Sequence, residues 1–269
     1  MSKGRVIVIT SGKGGVGKTT TTANLGMALA ALGEKVALLD ADIGLRNLDL
    51  VLGLENRIVY DIVDVVEERC KLRQALIKDK RQPNLVLLPA AQTRDKSAVT
   101  PDQMRKVLAD LQEDGFGYIL IDCPAGIEQG FKNATAGATE AIIVTNPEVS
   151  SVRDADRIVG LLEAEEIPKK PTLIVNRLRP KMVKKDEMMS VEDVQEILSI
   201  KLMGIVPDDE TIITSTNRGE PASLSESSRA GQAYRNIARR IRGEQVPFMD
   251  LEENDGFFSG IFKKLFAAG

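Results

Sequence analysis

The sequence predicts a single α/β domain, a mainly parallel β-sheet flanked by helices on both faces. Two observations predict it. Short β-branched and leucine-rich runs recur along the chain, each nearly free of polar residues and therefore suited to burial on both faces. Between them lie longer stretches with helical spacing, the alternation that builds a parallel sheet through crossover helices. A length of 269 residues with 43% hydrophobic content fits one large domain of this kind.

The first run, R-V-I-V-I-T (5–10), reads as a strand and leads directly into a glycine-rich loop. An alanine- and leucine-rich helix is expected over 19–32, stopped by Gly33. Further buried strands are expected at K-V-A-L-L-D (35–40), N-L-V-L-L-P (84–89), Y-I-L-I-D (118–122), A-I-I-V-T-N (141–146), T-L-I-V-N (172–176) and L-M-G-I-V-P (202–207). The stretch S-S-V-R-D-A-D-R-I (150–158) reads as an amphipathic helix capped by Ser150 or Ser151, with Val152, Ala155 and Ile158 inward. A last helix is expected over 228–242. The domain is accordingly set at 1–242, followed by a polar, acidic linker over 243–255, where Pro247 disfavours helix, and by a compositionally distinct segment over 256–269.

Composition removes several classes of function. The chain has no histidine, which excludes imidazole metal ligation and histidine acid–base catalysis. Cys70 and Cys123 are far apart and lack metal-site spacing. The net charge of -3 provides no global attraction to nucleic acid. No apolar run reaches the roughly 18 residues of a membrane span, and a strand-like run starts near the first Met, so a reducing cytoplasm is expected.

Gly12-Lys13-Gly14-Gly15-Val16-Gly17-Lys18-Thr19 satisfies G-x-x-x-x-G-K-[ST], the phosphate-binding loop of P-loop NTPases. The glycines let backbone N–H groups turn inward onto phosphates, and the following helix presents its positive end to the same place. Lys18 is expected to bridge the β- and γ-phosphates and the Thr19 hydroxyl to ligate Mg²⁺. Asp122 ends a strand, where it can hold the metal's water shell. Asp40 and Asp42 end another and enter a loop that could sense the γ-phosphate. Asn176 offers a strand-end amide to the adenine edge. A guanine reader would need a carboxylate three residues later, where Arg179 stands, so ATP is favoured over GTP.

Lys13 is the unusual residue. Lys18 already serves the phosphates, and a second ammonium close by is repelled unless an opposite charge arrives. ATP on a facing subunit would supply it, making Lys13 a cation donated in trans; a simple addition to phosphate affinity in cis is the alternative. The run K-G-G-V-G-K-T-T, with Thr20 as its last residue, resembles the deviant Walker A (ParA/MinD) family of partition-type ATPases. That family also includes the nitrogenase iron protein and arsenite pump ATPases. The resemblance implies a nucleotide-sandwich homodimer with Lys13 acting across it. It further implies that Asp42 positions or polarises the attacking water, with Asp40 beside it. Asp122 would sit near Mg²⁺, and Asn176 with Pro207 and Asp208 would hold the adenine.

The segment G-F-F-S-G-I-F-K-K-L-F-A-A-G (256–269) carries four of the seven phenylalanines. At about 100° per residue, Phe257, Phe258, Ile261, Phe262, Leu265 and Phe266 share one half of a helix, with Lys263 and Lys264 on the other. This is the pattern of a helix lying on an anionic membrane surface. One such short helix binds weakly and reversibly, whereas two joined in a dimer gain from effective concentration. D-I-G-L-R-N-L-D-L (42–50), Q-A-L-I-K-D-K-R (74–81), D-C-P-A-G-I-E (122–128) and T-N-P-E-V-S-S-V-R-D-A-D-R-I (145–158), together with the tail, resemble the septum-placing branch of the family. That likeness implies an ATP-bound dimer on the cytoplasmic face of the inner membrane, recruitment of the division inhibitor MinC and release when MinE stimulates hydrolysis. Ser151, Arg153, Asp154 and Arg157 are then expected on a partner surface. A DNA-partition ATPase and a regulator of flagellar number are the alternatives of the same fold.

Overall fold

The computed structural model describes residues 3–127, 129–165 and 167–251. The amphipathic segment expected at 256–269, with Phe257, Phe258, Ile261, Phe262, Lys263, Lys264, Leu265 and Phe266, lies outside the described residues.

The strands fall where the apolar runs place them: β1 (Arg5–Thr10), β2 (Val36–Asp40), β4 (Leu85–Leu88), β5 (Tyr118–Asp122), β6 (Glu140–Thr145), β7 (Thr172–Leu178) and β8 (Lys201–Pro207). A two-residue strand, β3 (Ile77–Lys78), was not expected; it is too short to produce a pattern and runs antiparallel to β4. The order is β3-β4-β2-β5-β1-β6-β7-β8, with every pairing but the first parallel.

Helices cover both faces. In chain order they are α1 (Lys18–Ala31), α2 (Leu48–Leu52), α3 (Ile62–Val66), α4 (Leu72–Ala75), α5 (Pro101–Glu113), α6 (Gln129–Thr135), α7 (Val149–Ala164), α8 (Pro180–Val183), α9 (Val191–Leu198), α10 (Thr211–Asn217) and α11 (Arg229–Ile241). The two-residue period of β1 divides the core. Val6 and Val8 join the cluster beneath α5, α7 and α9, while Ile7 and Ile9 join the one beneath α1 and α11. Close approach on the second face needs missing side chains: a Cβ on Gly204 would stand 2.3 Å from Ile237 Cγ1.

Two expectations change. The α7 N-cap is Glu148, so Ser150 and Ser151 lie in the first turn and neither caps it. Within the segment expected as a polar, acidic linker, Phe248, Met249 and Leu251 pack against the domain, and Arg240 stacks 4.3 Å from the centre of the Phe248 ring.

Candidate functional site

Parallel pairing brings the expected site residues to one edge of the sheet, because the C-terminal ends of its strands are aligned there. Asp122 lies opposite Ile9 of β1 and opposite Asp40 of β2. The glycine loop leaves β1, and Asn176 and Pro207 come from the ends of β7 and β8.

Within the loop, Gly15 and Gly17 take left-handed backbone conformations at φ 76° and 100°, which side chains rarely adopt. Gly12 is required for another reason: a Cβ there would stand 2.1 Å from the Asp154 carbonyl oxygen of α7. The loop and α7 are therefore in backbone contact.

The two lysines separate in space. Lys18 is only 8% exposed and donates to Ser11 Oγ at 3.0 Å, its one hydrogen bond among the described residues. The Asp122 carboxylate feels this charge but accepts no hydrogen bond from it among the described residues, and burying an ammonium without a direct ionic partner is costly. Lys13 has a side chain 44% exposed, and its Nζ lies 3.2 Å from Ser150 Oγ and 4.0 Å from Glu148 Oε2. The repulsion inferred from sequence is thus met inside the monomer by α7. No local pattern revealed Ser150 or Glu148 as partners, since they follow more than 130 residues later.

Asp40 and Asp42 also part company. Asp40 is wholly buried: Oδ1 accepts the Asp42 N–H at 2.9 Å, and Oδ2 accepts those of Asn47 at 3.2 Å and Leu48 at 3.1 Å. These three bonds fold the 42–48 turn onto the start of α2. Asp42, in that turn, is half-buried. Burial raises the Asp40 carboxyl well above its ordinary range, and the Asp122 carboxylate adds to this. Asp122 is likewise raised by burial, while hydrogen bonds from Thr19 and Thr22 and the Lys18 charge pull it down. Thr22 was missed in the sequence. It donates to the Lys18 carbonyl at 3.0 Å and to Asp122 Oδ1 at 3.4 Å, tying the first turn of α1 to the carboxylate at the end of β5. Cys123, beside it, is buried, and burial pushes its thiol up to about 12, so it packs as a small neutral side chain.

Asn176 is buried and donates its amide to the Val16 carbonyl at 2.8 Å. This bond braces the phosphate loop. Two residues further, a cavity of about 880 Å³ opens, lined by Leu178, Arg179, Pro207 and Asp208. Arg179 is not idle where a guanine reader would need a carboxylate; it pairs with Asp208 at 2.7 Å.

On α7, Arg153 and Arg157 are exposed and Asp154 half-buried, with Arg157 paired to Asp154 at 3.5 Å. Ser151 does not share that surface. It is 2% exposed, because its position in the first turn points it toward the sheet, alongside Val152 and Ala155. Among the described residues, no helix is long and apolar enough to cross a membrane.

A family model described as the CobQ/CobB/MinD/ParA nucleotide binding domain matches residues 7–222. The chain is 63% identical over 248 residues to the septum site-determining protein MinD of Synechocystis sp., covering 92% of each. It is 59% identical over 260 residues to that of Bacillus subtilis, covering 96% of this chain and 97% of the relative. A similar solved structure is the MinC:MinD cell division protein complex of Aquifex aeolicus, with TM-score 0.85, 52% identity and coverage of 91% and 98%. Another is septum site-determining protein MinD complexed with Mg-ADP from Pyrococcus horikoshii, with TM-score 0.79, 32% identity and coverage of 88% and 95%.

Proposed function

Because the chain belongs to the CobQ/CobB/MinD/ParA family of nucleotide-binding ATPases, we propose that it is a septum site-determining ATPase switch. In its ATP form it dimerises, binds the cytoplasmic face of the inner membrane through the amphipathic sequence of 256–269 and recruits MinC; MinE-stimulated hydrolysis releases it. Relatives named as septum site-determining proteins and a solved relative in complex with MinC support this reading.

The observation that carries it is the division of labour between the lysines. Lys18, buried, meets the phosphates in cis; Lys13, exposed at the rim beside α7, is free to be redirected to a facing subunit. Backbone N–H groups of Gly14 to Thr19 cradle the phosphates, and the cavity at Leu178, Pro207 and Asp208 takes the base. The residues suit a magnesium ion, which keeps several waters and needs few protein ligands: the Thr19 hydroxyl would bind it, with Asp122 and Asp42 acting through water. The ion would neutralise charge on the phosphates. Asp42 orients the attacking water, and Asp40 holds the turn that carries it. Dimerisation also places α7 next to the partner's nucleotide side, so Arg153, Asp154 and Arg157 present a surface that depends on the nucleotide.

Co-sedimentation with anionic liposomes tests the switch. The full chain should pellet with ATP and not with ADP. Lys13→Ala should abolish pelleting by preventing the dimer, and Phe262→Glu by disabling the tail. Equal pelleting with both nucleotides would sink the proposal. Within the site, Asp42→Ala should retain ATP binding and dimerisation and lose turnover, read as phosphate release at saturating ATP; normal turnover would overturn its role.

A further inference from the structure

Beyond α11 the chain doubles back along that same helix. Arg240 Nε donates to the Val246 carbonyl at 2.8 Å and Nη2 to the Pro247 carbonyl at 2.8 Å, while its third nitrogen reaches the Met203 carbonyl at 3.2 Å. The Phe248 ring stacks on the same guanidinium. Eleven residues earlier on α11, Arg229 Nη2 donates to the Asp250 carbonyl at 3.1 Å. Eleven residues are about three turns and about 16 Å of helix, so the two arginines share one face. They hold 246–251 as a strap running antiparallel to α11. Leu251, at its end, is half-buried and lines the cavity that also contains Leu178, Pro207 and Asp208.

We propose that Leu251 is a wall of the nucleobase pocket, delivered there by this strap, so that the C-terminal chain contributes directly to nucleotide affinity. The proposal rests on the reading of that cavity as the base site. A flat, largely apolar base face gains from an aliphatic side chain set beside it, and Leu178, Pro207 and Leu251 provide part of the cavity's apolar surface, together with Pro180 and Met182. Arg240 is a positioning residue: it touches the strap's carbonyls and does not line the cavity, whereas Arg229 both holds the Asp250 carbonyl and lines the cavity. A bidentate guanidinium fixes two successive carbonyls in a way a lysine cannot.

The test is calorimetric binding of ADP and of ribose 5-diphosphate, which lacks the base, to the full chain; a diphosphate keeps dimerisation out of the measurement. Leu251→Ser should weaken ADP about fivefold, the loss of part of one aliphatic contact, and leave ribose 5-diphosphate unchanged. Arg240→Lys should shift ADP in the same base-dependent way. Unchanged ADP affinity in Leu251→Ser, in a chain that still prefers ADP to ribose 5-diphosphate, overturns the proposal and leaves the base site standing. Equal losses for both ligands assign Leu251 a merely structural role and also overturn it. A loss in Leu251→Ser without one in Arg240→Lys overturns the anchoring. If the intact chain binds both ligands alike, the base-site reading itself fails.

Discussion

Lys13→Ala is expected to abolish ATP-dependent dimerisation and to lower turnover by about a hundredfold or more, while ATP affinity of the monomer changes by less than about threefold. The basis is the separation of the two lysines. Lys18 stays buried at the loop, where among the described residues its ammonium donates to Ser11 Oγ and to no carboxylate, and it is expected to go on meeting the phosphates. Among the described residues the Lys13 ammonium touches only the rim of α7, at Ser150 and Glu148. That contact is exposed and long, and such pairs contribute little to stability; the melting temperature should hardly move. A cation supplied to the transition state from another subunit is worth roughly 10³–10⁵ in rate, so a loss of about a hundredfold is a conservative figure. Monomer affinity by fluorescent-nucleotide titration, mass by light scattering and phosphate release separate the effects. A tenfold or larger loss of monomer affinity, with dimerisation intact, would favour the cis role instead.

Asp40→Ala is expected to destabilise the fold by about 2–4 kcal/mol and to disorder the 42–48 turn. The substitution strips acceptors from the N–H groups of Asp42, Asn47 and Leu48 at once. A buried orphan such as the Leu48 N–H costs about 1–3 kcal/mol, and the part-buried N–H groups of Asp42 and Asn47 cost less. Against this, removing a wholly buried carboxyl recovers its desolvation penalty, which keeps the total below the simple sum. Urea denaturation measures it, with Asp42→Ala as the contrast. Asp42→Ala should lose turnover at nearly unchanged stability. If Asp40→Ala is as stable as the parent and only turnover falls, Asp40 acts in the chemistry and the positioning role is wrong.

The difference between those two aspartates marks how far a linear reading reaches. Both sit in L-L-D-A-D at a strand end, and nothing local distinguishes the wholly buried carboxylate that organises the turn from the half-buried one within it. Burial does, and burial depends on β2 lying between β4 and β5. Ser151 failed for a similar reason. The helical spacing of Val152, Ala155 and Ile158 was legible, but the Glu148 start of α7 turns Ser151 inward with them. Thr22 was missed although it lies four residues from Lys18, because its other partner, Asp122, is 100 residues away in sequence.

The parallel α/β architecture, the phosphate loop and the presence of a second lysine in it were settled by local patterns. Strand burial, glycine conformation and the loop's donor geometry depend on neighbours within a few residues, so their signatures survive in the linear chain. Which carboxylate is sequestered, where Lys13 rests in the monomer, that Asn176 braces the loop and that 246–251 returns along α11 all depended on the folded molecule. Each is a contact between segments remote in sequence or a competition for one buried partner. Such contacts are chosen by the packing of the whole sheet and its helices, and they leave no periodic trace in the residues that make them.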